Sequence, residues 1–269
     1  MTPGPRACGR AAALAGLVLI AACSGTSSSP PGSAPPAPPG TTSPAAASSG
    51  AAAPALDGCF TAARAAIRRT ITKVPGRGGD TLTLATIGSG HRTVVLSNES
   101  DENLCSWLPF ATRLAAARYR VVVWDYGVNP APGELARLVR HLRSQGATRI
   151  VLMGASEGAK ASLIAGARIR PAVQGVVSLS AEPVLQPGIV VVRSVRRLRS
   201  PLLLVTARQD PFGSAQAAPD FLAAARSQDK RLVRVAGSDH GTALLAGRSA
   251  ARTMPAVLAF LRRSLRARS

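Results

Sequence analysis

From residue 80 onward two hydrophobic patterns alternate along the chain. Short, nearly continuous apolar runs read as strands: "TLTLATIG" (81–88), "RTVVLSN" (92–98), "YRVVVWDY" (119–126), "RIVLMGA" (149–155), "GVVSLSA" (175–181), "PLLLVTA" (201–207) and "RLVRVAG" (231–237). A Ser-Gly turn separates the first two. Between the runs, apolar residues recur at helical spacing. Residues 104–118 carry Leu104, Trp107, Leu108, Ala111, Leu114 and Ala115 on one stripe. Residues 129–146 carry Leu135, Leu138, Val139 and Leu142, with Pro132 near the start and Gly146 at the end, the asymmetry of a helix. A small-residue helix is predicted over roughly 157–169, another over 216–227, and a last one bearing Met254, Val257, Leu258, Leu261 and Leu265.

Strands that are apolar throughout are buried on both faces. Strands alternating with helices give a mostly parallel sheet flanked by helices on both sides. The predicted fold class is therefore α/β. In such sheets ligands bind beyond the carboxyl ends of the strands, so candidate chemistry is sought there.

One strand end holds "MGASEGAK" (153–160). Ser156 follows the apolar run, precedes the small-residue helix, and has Gly154 and Gly158 two positions to either side. Strand, sharp turn and helix are the context of a nucleophile elbow, and a helix N-terminus favours a developing oxyanion. A base and an acid must accompany it. Only three histidines exist. His91 lies in a turn before a strand, and His141 lies off the apolar face of a helix. His240, in "GSDHG", follows the last strand at its carboxyl end. Asp210, in "VTARQDPF", follows the preceding strand in the same way. Glu182, in "SAEP", is the alternative acid. The order Ser…Asp…His at successive strand ends fits nucleophilic catalysis.

The segments "VVLSN", "SWLPFATRLAAARYRVVVWDYG", "GASEG", "LLLVTARQDPF" and "GSDHG" together resemble the α/β-hydrolase superfamily, in particular dienelactone-hydrolase-like and simple esterase members. The resemblance spans residues 78–268. It implies acyl transfer by Ser156 as nucleophile, His240 as base and Asp210 as its orienting acid, without cofactor or metal. Backbone N–H groups of Glu157 and of Asn98 or Glu99 are the implied oxyanion donors. The chain departs from the common His-Gly after the first central strand, having Ser97-Asn98 there. Only about 19 residues join "SLSA" to "PLLLV", where larger caps insert in this fold. A minimal cap or none is expected, with "VVVRSVRRL" as an amphipathic helix or short flap. Three activities fit this pattern. One is a carboxylesterase for small or medium neutral esters. Another is an envelope acyltransferase or peptidase using the same triad. The third is a binding lipoprotein of the same fold that no longer catalyses.

Composition adds the setting. The chain has 269 residues and a formal charge of +20, from 33 Lys+Arg against 13 Asp+Glu. Only Lys73, Lys160 and Lys230 are lysines, and the Arg/Ala/Pro/Gly bias accounts for part of the charge. The densest basic patch, "RSVRRLRS" (193–200), suits contact with an anionic envelope surface. With two Trp, two Tyr and five Phe and no binding motif, nucleic acid is not an expected partner. Residues 1–22 read as a signal peptide, with Arg6 and Arg10 before "AAALAGLVLIAA" (11–22). "LIAAC" resembles a lipobox, which implies a diacylglyceryl group on Cys23 and palmitate-type anchoring to the outer side of the cytoplasmic membrane. Residues 23–56 form a Ser/Pro/Ala/Gly tether, and 57–269 the hydrolase domain. Cys59 and Cys105 are an expected disulfide in an oxidising compartment.

Seven of the 13 carboxylates (Glu99, Asp101, Glu102, Glu157, Glu182, Asp210 and Asp239) fall near the predicted strand ends. A negative mouth in a positive body predicts neutral or cationic ester or amide substrates.

Overall fold

The computed structural model describes residues 71–100, 104–125 and 131–266. The signal peptide, the tether, Cys23, Cys59, Asp101 and Glu102 lie outside the described residues.

Eight strands form one sheet: β1 (Ile71–Pro75), β2 (Thr81–Ile87), β3 (Arg92–Ser97), β4 (Arg120–Asp125), β5 (Arg149–Ala155), β6 (Gly175–Leu179), β7 (Leu202–Ala207) and β8 (Lys230–Val235). Their order is β1-β2-β4-β3-β5-β6-β7-β8. β2 is antiparallel to both β1 and β4, and all other neighbours are parallel. β2 and β3, adjacent in sequence, do not pair, because β4 lies between them.

Each apolar run serves two cores, because successive side chains point to opposite faces. Ile150, Leu152, Leu202 and Leu204 enter one core; Val151, Met153, Leu203 and Val205 enter the other. The first core is closed by α2 (Ala131–Ser144), α3 (Glu157–Arg168), α4 (Val191–Val195) and α5 (Ser214–Ala224). The second is closed by α1 (Leu108–Ala116) and α6 (Gly247–Ser264). Helices on both faces explain why the central strands carry no polar side.

The predicted 104–118 helix begins as a 3-10 turn, Leu104–Trp107, before α1. Pro109 in the first α-helical turn carries no N–H, which suits an N-terminus. The segment "VVVRSVRRL" is helical only over Val191–Val195. The connection from β6 to β7, residues 180–201, holds only this helix and one isolated bridge, Val184 to Val190, so no cap domain covers the strand ends there.

Candidate active site

Ser156 stands between β5 and α3 with φ 48° and ψ −114°. Positive φ is rare for a residue with a Cβ, and such strain gathers at functional sites. The flanking glycines are steric requirements. A methyl at Gly154 would run into the backbone of Gly158, and one at Gly158 into Ser97 and Asn98. The elbow is thus folded against itself and against β3. Gly158 N–H donates to the Asn98 carbonyl at 3.0 Å, which fixes that contact. Ser97 accepts the Trp124 indole N–H at 2.9 Å inside the core.

Asp210 and His240 converge on the elbow from the ends of β7 and β8. His240 Nδ1 lies 2.9 Å from Asp210 Oδ2. The Asp210 carboxylate is held from two further sides: Oδ1 accepts the Phe212 N–H at 2.9 Å, and Oδ2 accepts the Ser214 hydroxyl at 2.7 Å. Thr206 Oγ1 lies 2.5 Å from the same hydroxyl. Sequence reasoning did not single out Ser214 or Thr206. Four residues after Asp210, across the turn into α5, is the signal that could have found Ser214.

Glu182 does not take the orienting place it was offered. Its Oε1 accepts the Ser156 hydroxyl at 2.8 Å and lies 3.2 Å from His240 Nε2. The other ring nitrogen, Nδ1, lies against Asp210, and Glu182 lies on the Ser156 side of the ring. A carboxylate instead stands between Ser156 and His240. Its other oxygen is 2.8 Å from Lys160 Nζ, and Lys160 also pairs with Glu157 at 3.1 Å. A strained residue delivers it: Ser180, two positions earlier, has φ 56°. Lys160 is buried and was missed as a site residue. Its place four residues after Ser156 on α3, one turn along the same face, was the available signal.

The charges respond to this packing. Burial pushes the Glu182 carboxyl up, but hydrogen bonds from His240, Lys160 and Ser156 and the Lys160 charge bring it down to about 2. For His240, burial disfavours the cation, yet Glu182 and Asp210 outweigh it and raise the imidazole above its usual 6.5. Both ring nitrogens face carboxylate oxygens, an arrangement only the imidazolium satisfies with two donors.

The negative mouth is narrower than the sequence suggested. Glu99 is buried and accepts both the N–H and the hydroxyl of Thr242, at 2.8 and 2.6 Å. It thereby ties the loop after β3 to the residues following His240. Asp239 accepts the Ser249 hydroxyl. Glu157 shares the Lys160 ammonium with Glu182. Glu157 is the first residue of α3, where backbone N–H groups have no intrahelical partner. Asn98 is buried, and its carboxamide donates to the Glu99 carbonyl at 3.1 Å. His91 bonds the Gly146 carbonyl at 3.2 Å, and His141 lies in the last turn of α2. Neither joins the site. Cys105 is in the 3-10 turn before α1, against the second core. No group of His, Cys, Asp and Glu among the described residues has the arrangement of a metal site.

No protein-family model matches the chain, and no curated protein matches its sequence. Solved structures do. A monoacylglycerol lipase from Paleococcus ferrophilus shares 13% identity over 68% of this chain and 99% of its own, with a TM-score of 0.60. The esterase domain of a Rhodothermus marinus protein shares 20% over 72% and 97%, TM-score 0.59. An enol-lactonase from Burkholderia xenovorans shares 13% over 71% and 99%, TM-score 0.60. At these identities the likeness is one of architecture, and with the strand order above it leads to one statement: this chain has the α/β-hydrolase fold.

Proposed function

We propose that the protein is a serine hydrolase of carboxylic esters, with Ser156, His240 and Asp210 as its triad. The observation that carries this reading is the meeting of Ser156 Oγ and His240 Nε2 on one Glu182 oxygen, while Asp210 holds the opposite ring nitrogen at 2.9 Å. When Glu182 withdraws, hydroxyl and imidazole face each other. Neutral His240 Nε2 then takes the Ser156 proton as Oγ bonds the carbonyl carbon. The imidazolium returns that proton to the leaving alkoxide. Water repeats the sequence on the acyl-enzyme and releases the acid. The Glu157 N–H and that of Asn98 or Glu99 stabilise the oxyanion. The ester-cleaving neighbours in the same fold and the uncapped strand ends support small, accessible ester substrates.

The setting belongs to the same reading. Cys23 carries the lipid anchor, residues 24–56 hold the domain off the outer face of the cytoplasmic membrane, and Cys59 bridges to Cys105. One observation favours a second reading, a binding protein without turnover: Glu182 occupies the space between nucleophile and base. A panel of p-nitrophenyl esters of increasing chain length separates the two. Turnover of the short esters that disappears in Ser156→Ala supports the hydrolase. Equal rates in both proteins contradict it. Radiolabelled palmitate incorporation lost in Cys23→Ala tests the anchor, and a thiol count before and after reduction tests the bridge.

A further inference from the structure

If Ser156 and His240 react as proposed above, the Glu182 carboxylate must give up both, and something must induce it to do so. The charges around it say what. Lys160 alone faces Glu157 and Glu182 from α3, and Asp210 faces His240 from the end of β7. Glu99 and Asp239, the other described acids on these loops, are occupied by Thr242 and Ser249. While His240 is an imidazolium, two cations face the three carboxylates Glu157, Glu182 and Asp210. Once His240 becomes the neutral base, Lys160 is the one cation left on Glu157 and Glu182. The armed state therefore lacks one positive charge at Glu182.

The rim next to that carboxylate has a matching character. Among the described residues, the two large hydrophobic side chains left exposed are Val184, 43% exposed, and Phe212, 62% exposed. Val184 follows Glu182 by two residues. The Phe212 ring lies 4.5 Å from the His240 ring, centroid to centroid. Glu182 and Phe212 thus adjoin the same imidazole, one as a carboxylate and the other as a largely exposed aromatic ring. A carboxylate beside an aromatic ring is the pairing that binds alkylated ammonium groups.

We propose that Glu182 and Phe212 form a cation subsite, and that the enzyme selects esters bearing an ammonium group close to the scissile carbonyl. The substrate's ammonium replaces the imidazolium as the partner of Glu182. The Nε2 proton passes to solvent, so charge at the site is conserved. His240 is then neutral and free to accept the Ser156 proton. A neutral ester of the same shape leaves Glu182 on the imidazole and reacts more slowly.

The test uses two isosteric pairs with the intact protein. The acyl-side pair is the p-nitrophenyl ester of trimethylglycine against that of 3,3-dimethylbutanoic acid. The alcohol-side pair is 2-(trimethylammonio)ethyl acetate against 3,3-dimethylbutyl acetate. Each kcat/KM is divided by the rate constant with hydroxide, which removes intrinsic reactivity. Wild type is expected to prefer the cationic member of at least one pair by tenfold or more. Glu182→Gln is expected to reduce that preference at least tenfold. Phe212→Ala, at an exposed position that folding does not depend on, is expected to reduce it about threefold. A wild-type preference below twofold in both pairs overturns the proposal, and so does a preference unmoved by both variants. Fluorophosphonate labelling of Ser156 is run alongside. Labelling without charge preference refutes the subsite alone. No labelling in wild type refutes the triad on which it rests.

Discussion

Ser156 gives its hydroxyl hydrogen to Glu182 Oε1 at 2.8 Å. The same oxygen is the nearest partner of His240 Nε2, at 3.2 Å. The Ser156 hydroxyl is therefore held in place but not activated, because a carboxyl group brought down to about 2 by its cationic neighbours is a feeble base near neutrality. Activation depends on a neutral His240.

The pH dependence follows in sign. His240 is raised above 6.5 in the folded protein, so its base form appears only above that pH, and the acid limb of kcat/KM lies there. Glu182→Gln removes one of the two carboxylates that stabilise the imidazolium, and the limb moves to lower pH. A pH–rate profile of the variant that overlays wild type contradicts this. Stability obeys the same linkage. The raised His240 value contributes fully below 6.5 and is lost as pH rises through it. The depressed Glu182 value contributes above 4.5 and is lost as pH falls toward about 2. The network is strongest between those limits.

Ser214 secures the orienting acid. Its hydroxyl reaches Asp210 Oδ2 at 2.7 Å, on a side chain with no exposed surface. A hydrogen bond to a buried carboxylate contributes about 1.5–3 kcal/mol. Ser214→Ala is expected to lower kcat/KM roughly 10-fold, mostly in kcat, where the cost is about 1.4 kcal/mol per factor of ten. Steady-state kinetics at saturating substrate checks it, and a change confined to KM contradicts it.

Much of this site was legible before any coordinates. The runs at 149–155 and 201–207 carry their burial in their composition, and the elbow, Asp210 and His240 follow at their ends. β1 was not legible: "ITKVP" buries only Val74, so it carries no hydrophobic pattern. The β2–β4 pairing was hidden as well, because a short turn suggests neighbours where the chain in fact crosses over. Glu182 was visible as an acid at a strand end. Its contact with Nε2 rather than Nδ1 depends on the turn at Ser180 and on a lysine one helical turn beyond Ser156, and no local pattern encodes that meeting.

Gly158 is where α3 touches β3. Added atoms in a packed site cost about 1–3 kcal/mol, and here the neighbours are the backbone of Ser97 and Asn98, which cannot rotate away. Gly158→Ala is expected at the upper end of that range in urea unfolding at neutral pH. A midpoint equal to wild type contradicts the close approach.

Asp125, at the end of β4, is pushed up to about 6 by burial, against the pull of the Leu104 N–H it accepts at 3.2 Å. A carboxyl group raised on folding costs stability above its unfolded value near 3.8, increasingly until its folded value is passed. Asp125→Asn keeps an acceptor for Leu104 and removes the charge. Its Tm should exceed that of wild type at pH 8, and the gain should vanish by pH 4. A variant less stable at pH 8 contradicts the assignment.

The central claim is that Ser156 is a nucleophile served by His240 and Asp210. A fluorophosphonate reacts far faster with an activated serine hydroxyl than with an ordinary one. Incubation with the folded protein at pH 8, followed by mass mapping of the modified peptide, addresses it directly. A single adduct on Ser156 is expected, slowed strongly by His240→Ala and absent in Ser156→Ala. Folded wild-type protein that takes up no label, or labels equally fast without His240, contradicts it.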